Sequence, residues 1–384
     1  MSTTITPPTA SPAATGNPLQ QLANFGQSVW LDYIRRDLMT SGELKRLIEH
    51  DGLGGMTSNP AIFEKAIATG TEYNDLLTAL RPDASLDAKA IFERIAIRDI
   101  QDAADALQPV YDRSQHKDGY VSLEVSPYLS AKTQETLEEA RRLWAAVARP
   151  NLMIKVPGTA AGIPAIEILL AEGININVTL LFSQDTYEQV AKAFVRAIER
   201  RAAQGLKVSS VASVASFFVS RIDSLIDAQL DGKSTNATAA QKTLIDGVRG
   251  KVAIANAKLA YERYQKIFSG PAWDALAAKG AQTQRVLWAS TSMKNPKLRD
   301  VLYIEELIGK ETVNTIPPAT YDAFRDHGIL RNSLTEDLAG AHKVMTDLAA
   351  TGISMQQVTD DLVTQGVKLF EDAFTKLLAV IRPV

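Results

Sequence analysis

The 384-residue chain contains no cysteine. That absence excludes disulfides, thiolate nucleophiles and zinc or iron–sulfur centres held by thiolates. Histidine is scarce as well. His50, His116, His327 and His342 are the only four, far apart and without acidic residues at ligand spacing, so no metal site is expected and all four read as surface or helix-end residues. Neither sign of charge is in large excess: 41 Lys and Arg against 44 Asp and Glu leave a formal charge of -3. No global basic field is therefore available to hold nucleic acid or an anionic membrane, and any anion binding must be local. A run of about 18 apolar residues, the length needed to cross a bilayer, is also missing. Residues 1–20, MSTTITPPTASPAATGNPLQ, carry no charged side chain and no apolar run. They read as a disordered tail rather than a signal or transit peptide, which makes the cytoplasm the expected location. Finally, the glycine clusters GLGG at 52–55 and GTAAG at 158–162 match neither dinucleotide- nor nucleotide-phosphate-binding spacing and read as tight turns, so no cofactor is expected.

What the chain does contain is apolar material, 46% of residues, enough for one large barrel or two ordinary domains. Short β-rich runs recur: SVWLD at 28–32, GMTSN at 55–59, YVSLEV at 120–125, NLMIKV at 151–156, INVTL at 176–180, VASVASFFV at 211–219, VLWAS at 286–290 and TVNTI at 312–316. Helical spacing separates them. Between two of these runs, 183–205 opens on Ser183 as an N-cap and closes at Gly205, with Tyr187, Val190, Ala191, Phe194, Val195 and Ile198 on one face. Alternating strand and helix implies parallel strands with helical crossovers, and eight strands suit a closed (β/α)8 TIM barrel better than the alternative, an open doubly wound sheet. The long connections 60–119 and 220–285 read as helical excursions of one domain spanning 21–384, and the segment from Ala319 onward as a closing helical layer.

Side chains alternate across a strand, so parity tells which residues share a face. In NLMIKV, Leu152, Ile154 and Val156 form an apolar face for the helix layer, which turns Met153 and Lys155 into the barrel. An amine buried there is favoured in its neutral form, the form that attacks a carbonyl. The same exercise pairs Trp30 with Asp32, Ser122 with Glu124, Asn175 with Asn177 and Thr179, and Ser216 with Phe218. Carboxylates, an amine, amides and hydroxyls thus converge on the C-terminal rim of the strands, where barrel enzymes build their sites. Taken singly, each residue has a plainer reading. Lys155, Glu124 and Asp32 are also what structural ion pairs need, Asn59 suits the turn before Pro60, and Arg221 has Asp223 and Asp227 nearby. Glu138, Glu139, Arg141 and Arg142 read as a solvated helix face, and Trp144, Trp273, Phe217–Phe218 and Tyr261–Tyr264 as core.

The set MTSNPAIF, LEVSP, LMIKVPGT, INVTLLFS, ASFFVSRID and LWASTSMKN, in this order and spacing over about residues 28–320, resembles the transaldolases, and the KVPGT form resembles their longer bacterial subgroup. The resemblance implies transfer of a dihydroxyacetone unit between sugar phosphates in the pentose phosphate pathway, without cofactor, by a monomer or homodimer. Lys155 then matches the Schiff-base former, Glu124 and Thr179 the acid–base pair working through a held water, and Asp32 the base for the C4 hydroxyl. Asn59, Asn177 and Ser216 match the partners of the dihydroxyacetone hydroxyls. Phe218 stands where the similar fructose 6-phosphate aldolases, which release free dihydroxyacetone, carry Tyr. Phosphate falls to Arg221 and Ser290, together with a basic residue. Here the chain departs from the shorter transaldolases, reading Ser290-Thr291-Ser292-Met293-Lys294 in place of Ser-x-Arg, so that Lys294 or Ser292 takes the place of the arginine. Two other readings remain open, an aldolase that releases dihydroxyacetone to water and a catalytically silent barrel that binds sugar phosphates.

Overall fold

The structure, a computed structural model, describes residues 16–382. Eight parallel strands close a barrel in sequence order: β1 (Gln27–Asp32), β2 (Leu53–Thr57), β3 (Tyr120–Glu124), β4 (Leu152–Pro157), β5 (Ile176–Leu181), β6 (Ser213–Phe218), β7 (Arg285–Ala289) and β8 (Thr312–Ile316). The open-sheet alternative is thereby excluded. Each expected run holds its strand, with ends shifted by a residue or two. The largest shift is at GMTSN. There β2 stops at Thr57, because Asn59 caps the helix Pro60–Thr69 and accepts a hydrogen bond from the Ile62 N–H at 3.0 Å.

The helix expected over 183–205 spans Gln184–Ala203, capped by Ser183, and Gly205 follows at φ +69°. Its anticipated face is buried except Val195, which is half-buried. Both long connections are helical, and three helices, Pro318–His327, Leu338–Ala350 and Met355–Ile381, complete the C-terminal part. The tail boundary needs correction. Within the expected 1–20, Pro18–Gln21 is helical, Leu19 is buried, and Asn17 Nδ2 donates to the Asp51 carboxylate at 2.6 Å. Residues 1–15 lie outside the described residues.

The N-terminal end of the barrel is closed by chemistry unrelated to the rim. Trp30 Nε1 donates to Asp118 at 2.9 Å, and Arg285 bridges Asp118 and the Ser28 hydroxyl. The indole fills the interior opposite Gly55, where a Cβ would stand 2.6 Å from the Trp30 ring. Glycine is required at that point of β2 because the space belongs to Trp30. With this plug in place, the free interior is left at the C-terminal mouth. Among the described residues no helix is long and apolar enough to cross a membrane.

Candidate active site

Strand register assembles the site. β3 and β4 pair Glu124 with Lys155, β4 and β5 pair Lys155 with Asn177, and β1 and β2 pair Asp32 with Thr57. An inward residue on one strand therefore sits beside inward residues on its neighbours, and parity does turn Lys155 inward as expected. Only 4% exposed, Lys155 donates from Nζ to the Ser58 carbonyl at 3.0 Å. Its Nζ also stands 3.3 Å from Glu124 Oε2, an ion-pair distance without hydrogen-bond alignment. Burial pushes the Glu124 carboxyl up to about 7, against the opposing pull of the Lys155 charge. Asp32 is also raised by burial, with Lys155 and the Thr57 hydroxyl pulling the other way.

A cavity of about 240 Å³ opens at the mouth, room for a small ligand. Asp32, Asn59, Lys155, Thr179, Ser216 and Phe218 line its inner part, and Arg221, Ser290, Ser292 and Lys294 its outer part. Two expected residues are set back from the wall. Glu124 lies behind Lys155. Asn177 is fully buried, its amide donating to Ser122 Oγ at 3.0 Å and accepting from Ser216 Oγ at 2.7 Å. Buried Thr179 Oγ1 and Glu124 Oε2 have no hydrogen-bond partner among the described residues. Orphaned buried polar atoms are costly, and such a pair is what a bound water or substrate hydroxyl would satisfy.

At the outer end, the ion-pair alternative for Arg221 fails. Asp223 is committed to the Ala253 N–H and Tyr303 hydroxyl, both at 2.8 Å, and Asp227 to the Gly250 N–H at 3.1 Å. Arg221 instead lies over the Phe218 ring at 5.8 Å and meets no carboxylate among the described residues. Ser290 adopts a left-handed φ of +57° and shares a 2.9 Å hydroxyl contact with Ser220. Lys294 donates to Ser292 Oγ at 2.7 Å. One side of the cavity thus carries a guanidinium, an ammonium and two hydroxyls, groups whose chemistry suits an anion.

A family model described as Transaldolase/Fructose-6-phosphate aldolase matches residues 29–381. The chain belongs to this family. A protein named transaldolase 2 in Nostoc sp. is 47% identical over 367 residues, 94% of this chain and 96% of that protein. One named transaldolase in Parafrankia sp. is 48% identical over 366 residues, 95% and 97% of the two chains. Another in Thiobacillus denitrificans is 46% identical over 365 residues, 95% and 99%.

For this member of the transaldolase/fructose-6-phosphate aldolase family, Thr57, Thr315 and Phe370 also line the cavity, with no role expected for them from the motifs. Thr57 donates to Asp32 Oδ1 at 2.6 Å and meets Thr315 Oγ1 at 2.7 Å, so two hydroxyls orient the carboxylate. Parity on β2 and β8 carried that signal. Phe370, from the C-terminal helix, carried none. The expected solvated face at 138–142 holds only in part. Glu139 is tucked in, accepting from the Ser126 N–H at 2.6 Å beside Lys89, because the loop after Glu124 needs an acceptor there. His327 pairs with Asp300 and Asp326 and His342 with Glu262, and both histidines are exposed.

Proposed function

We propose that the protein is a transaldolase of the pentose phosphate pathway. It moves a dihydroxyacetone unit from sedoheptulose 7-phosphate to glyceraldehyde 3-phosphate, giving erythrose 4-phosphate and fructose 6-phosphate. The observation that carries this reading is one buried amine, Lys155, beside Glu124 and sharing with Asp32 a cavity that also holds a guanidinium without a carboxylate partner among the described residues. Lys155 attacks the C2 carbonyl of the ketose to give a carbinolamine. Expelling water from it leaves an iminium, and Glu124, raised to about 7, both accepts and donates protons near neutrality. The free Thr179 and Glu124 oxygens suit a water that relays them. Asp32, made more basic by burial and steadied by Thr57, takes the C4 hydroxyl proton. The C3–C4 bond then breaks, its electrons pass to the iminium, and the aldose phosphate departs. The remaining enamine attacks the second aldehyde, and the steps reverse.

Asn59 and Ser216, with Asn177 fixing Ser216 from below, hold the dihydroxyacetone hydroxyls in this scheme. Arg221, Ser290 and Lys294 hold the phosphate. The aldolase alternative differs only in what meets the enamine, and Phe218 in place of Tyr supports transfer. The deciding assay incubates the protein with sedoheptulose 7-phosphate and glyceraldehyde 3-phosphate. Erythrose 4-phosphate and fructose 6-phosphate form in equal amounts if the reading holds, whereas free dihydroxyacetone as the main product sinks it in favour of the aldolase.

The phosphate assignment makes its own prediction. Arg221→Ala raises KM for glyceraldehyde 3-phosphate by roughly 10- to 100-fold, the value of one or two charge-assisted hydrogen bonds. Rates with unphosphorylated glyceraldehyde as acceptor change little. Equal losses with both acceptors in initial-rate measurements would remove Arg221 from phosphate binding.

A further inference from the structure

The C-terminal helix Met355–Ile381 crosses the barrel mouth and brings one side chain into the cavity, Phe370. Lys155 Nζ lies over its ring, 5.7 Å from the centroid, and Phe370 is 7% exposed. Local packing fixes the helix at this height. One turn earlier, Gly366 faces Leu180, and a Cβ there would stand 2.8 Å from Leu180 Cδ2. Leu180 in turn follows Thr179 directly and holds a left-handed φ of +59°. One turn later, Phe374 packs edge-on against Phe92 and Tyr128. The last turn is held by Arg81, which donates to the Val380 and Ile381 carbonyls at 2.8 and 2.6 Å. The ring is therefore a fixed roof over the reacting nitrogen.

We propose that Phe370 is a specificity-determining residue that keeps water from the lysine-bound three-carbon intermediate, so that the unit passes to an aldose acceptor instead of being released. This deepens the transfer reading above and rests on it. Release requires a proton from water on the enamine C3, then addition of water to the resulting iminium carbon. Cleavage of the C–N bond finally frees dihydroxyacetone and returns the amine to Lys155. Hydrolysis of an iminium also ends transfer, through the water that Glu124 and Thr179 suit, so the step that separates release from transfer is the proton a further water must deliver to the enamine C3. An apolar ring over Nζ offers such a water no hydrogen bond, while its π face favours the cationic iminium. Phe218, the cavity's other aromatic residue, has its ring against Arg221, whereas the ring of Phe370 is the one against Lys155.

The experiment measures, for the full-length protein, dihydroxyacetone released from fructose 6-phosphate without acceptor, divided by transfer with acceptor. Borohydride labelling of Lys155 runs in parallel. Phe370→Tyr, which places a hydroxyl on the roof, and Phe370→Ala, which opens it, each raise this ratio about tenfold while Lys155 still labels. Phe370→Leu, which restores an apolar cover, returns it close to the wild-type value. A ratio unchanged in Phe370→Tyr, with labelling intact, overturns the role of Phe370 and leaves the transfer reading standing. A wild-type protein that neither labels nor transfers overturns both.

Discussion

Lys155→Met loses transfer by on the order of 10^4-fold or more, equivalent to about 5.4 kcal/mol of barrier, because no other group can form the covalent intermediate. Labelling by borohydride in the presence of fructose 6-phosphate disappears with it. The substitution is well suited to isolating chemistry from folding. Methionine keeps an unbranched apolar stem in a pocket where Lys155 is 4% exposed. The group left behind, Glu124, already sits at about 7 with the ammonium beside it. Without that charge, burial acts unopposed and the carboxyl keeps its proton at neutral pH, so no uncompensated buried charge remains. Lys155→Arg is the complementary variant. It preserves a positive partner for Glu124, yet a guanidinium stays protonated and forms no Schiff base. Both variants should fail alike. If Lys155→Arg transferred the unit at a normal rate, Lys155 would be an electrostatic residue and the covalent mechanism would be wrong.

The sequence located this lysine because a strand has a period of two and one of its faces must be apolar. Leu152, Ile154 and Val156 left a single orientation for Lys155, and register then carried Glu124 and Asn177 to its side. Local rules also reached Ser183 as a cap and the barrel itself. They failed where the answer depended on elements distant in the chain. Phe370 looks like any apolar position of a C-terminal helix, and only the packing of that helix across the mouth brings it to Lys155. Arg221 has carboxylates two and six positions along, which suggests ion pairs. Those carboxylates are taken by the Ala253 and Gly250 N–H groups, 30 and 23 positions away. Glu139 looks solvated in the sequence for the same reason, since its partner is the backbone of a loop in front of its helix. The tail boundary moved because Asn17 bonds to Asp51 across 34 positions, a contact invisible to composition.

Glu124→Gln lowers kcat/KM by roughly 10^2- to 10^4-fold, the usual value of a positioned acid–base group, and changes the pH dependence in a defined sense. In the wild type the Glu124 carboxyl gives up its proton through about 7. Below that value it already carries a proton and cannot take the one released when the amine attacks. Above it the carboxylate is free to accept that proton. The rate with limiting sugar phosphate therefore rises with pH through about 7 in the wild type. In Glu124→Gln that limb is lost, since the amide neither takes nor gives the proton. Stability moves the other way. The folded carboxyl binds its proton more tightly than the ordinary value of 4.5. Its contribution is thus fully present below about 4.5 and is lost as pH rises through about 7. Relative to the wild type, Glu124→Gln gains stability between those two pH values, because its buried side chain never has to ionise. Rate profiles and denaturation midpoints measured on one pair of proteins check both halves. A variant that keeps the wild-type limb would move the proton transfers away from Glu124 and leave Asp32 as the group to test.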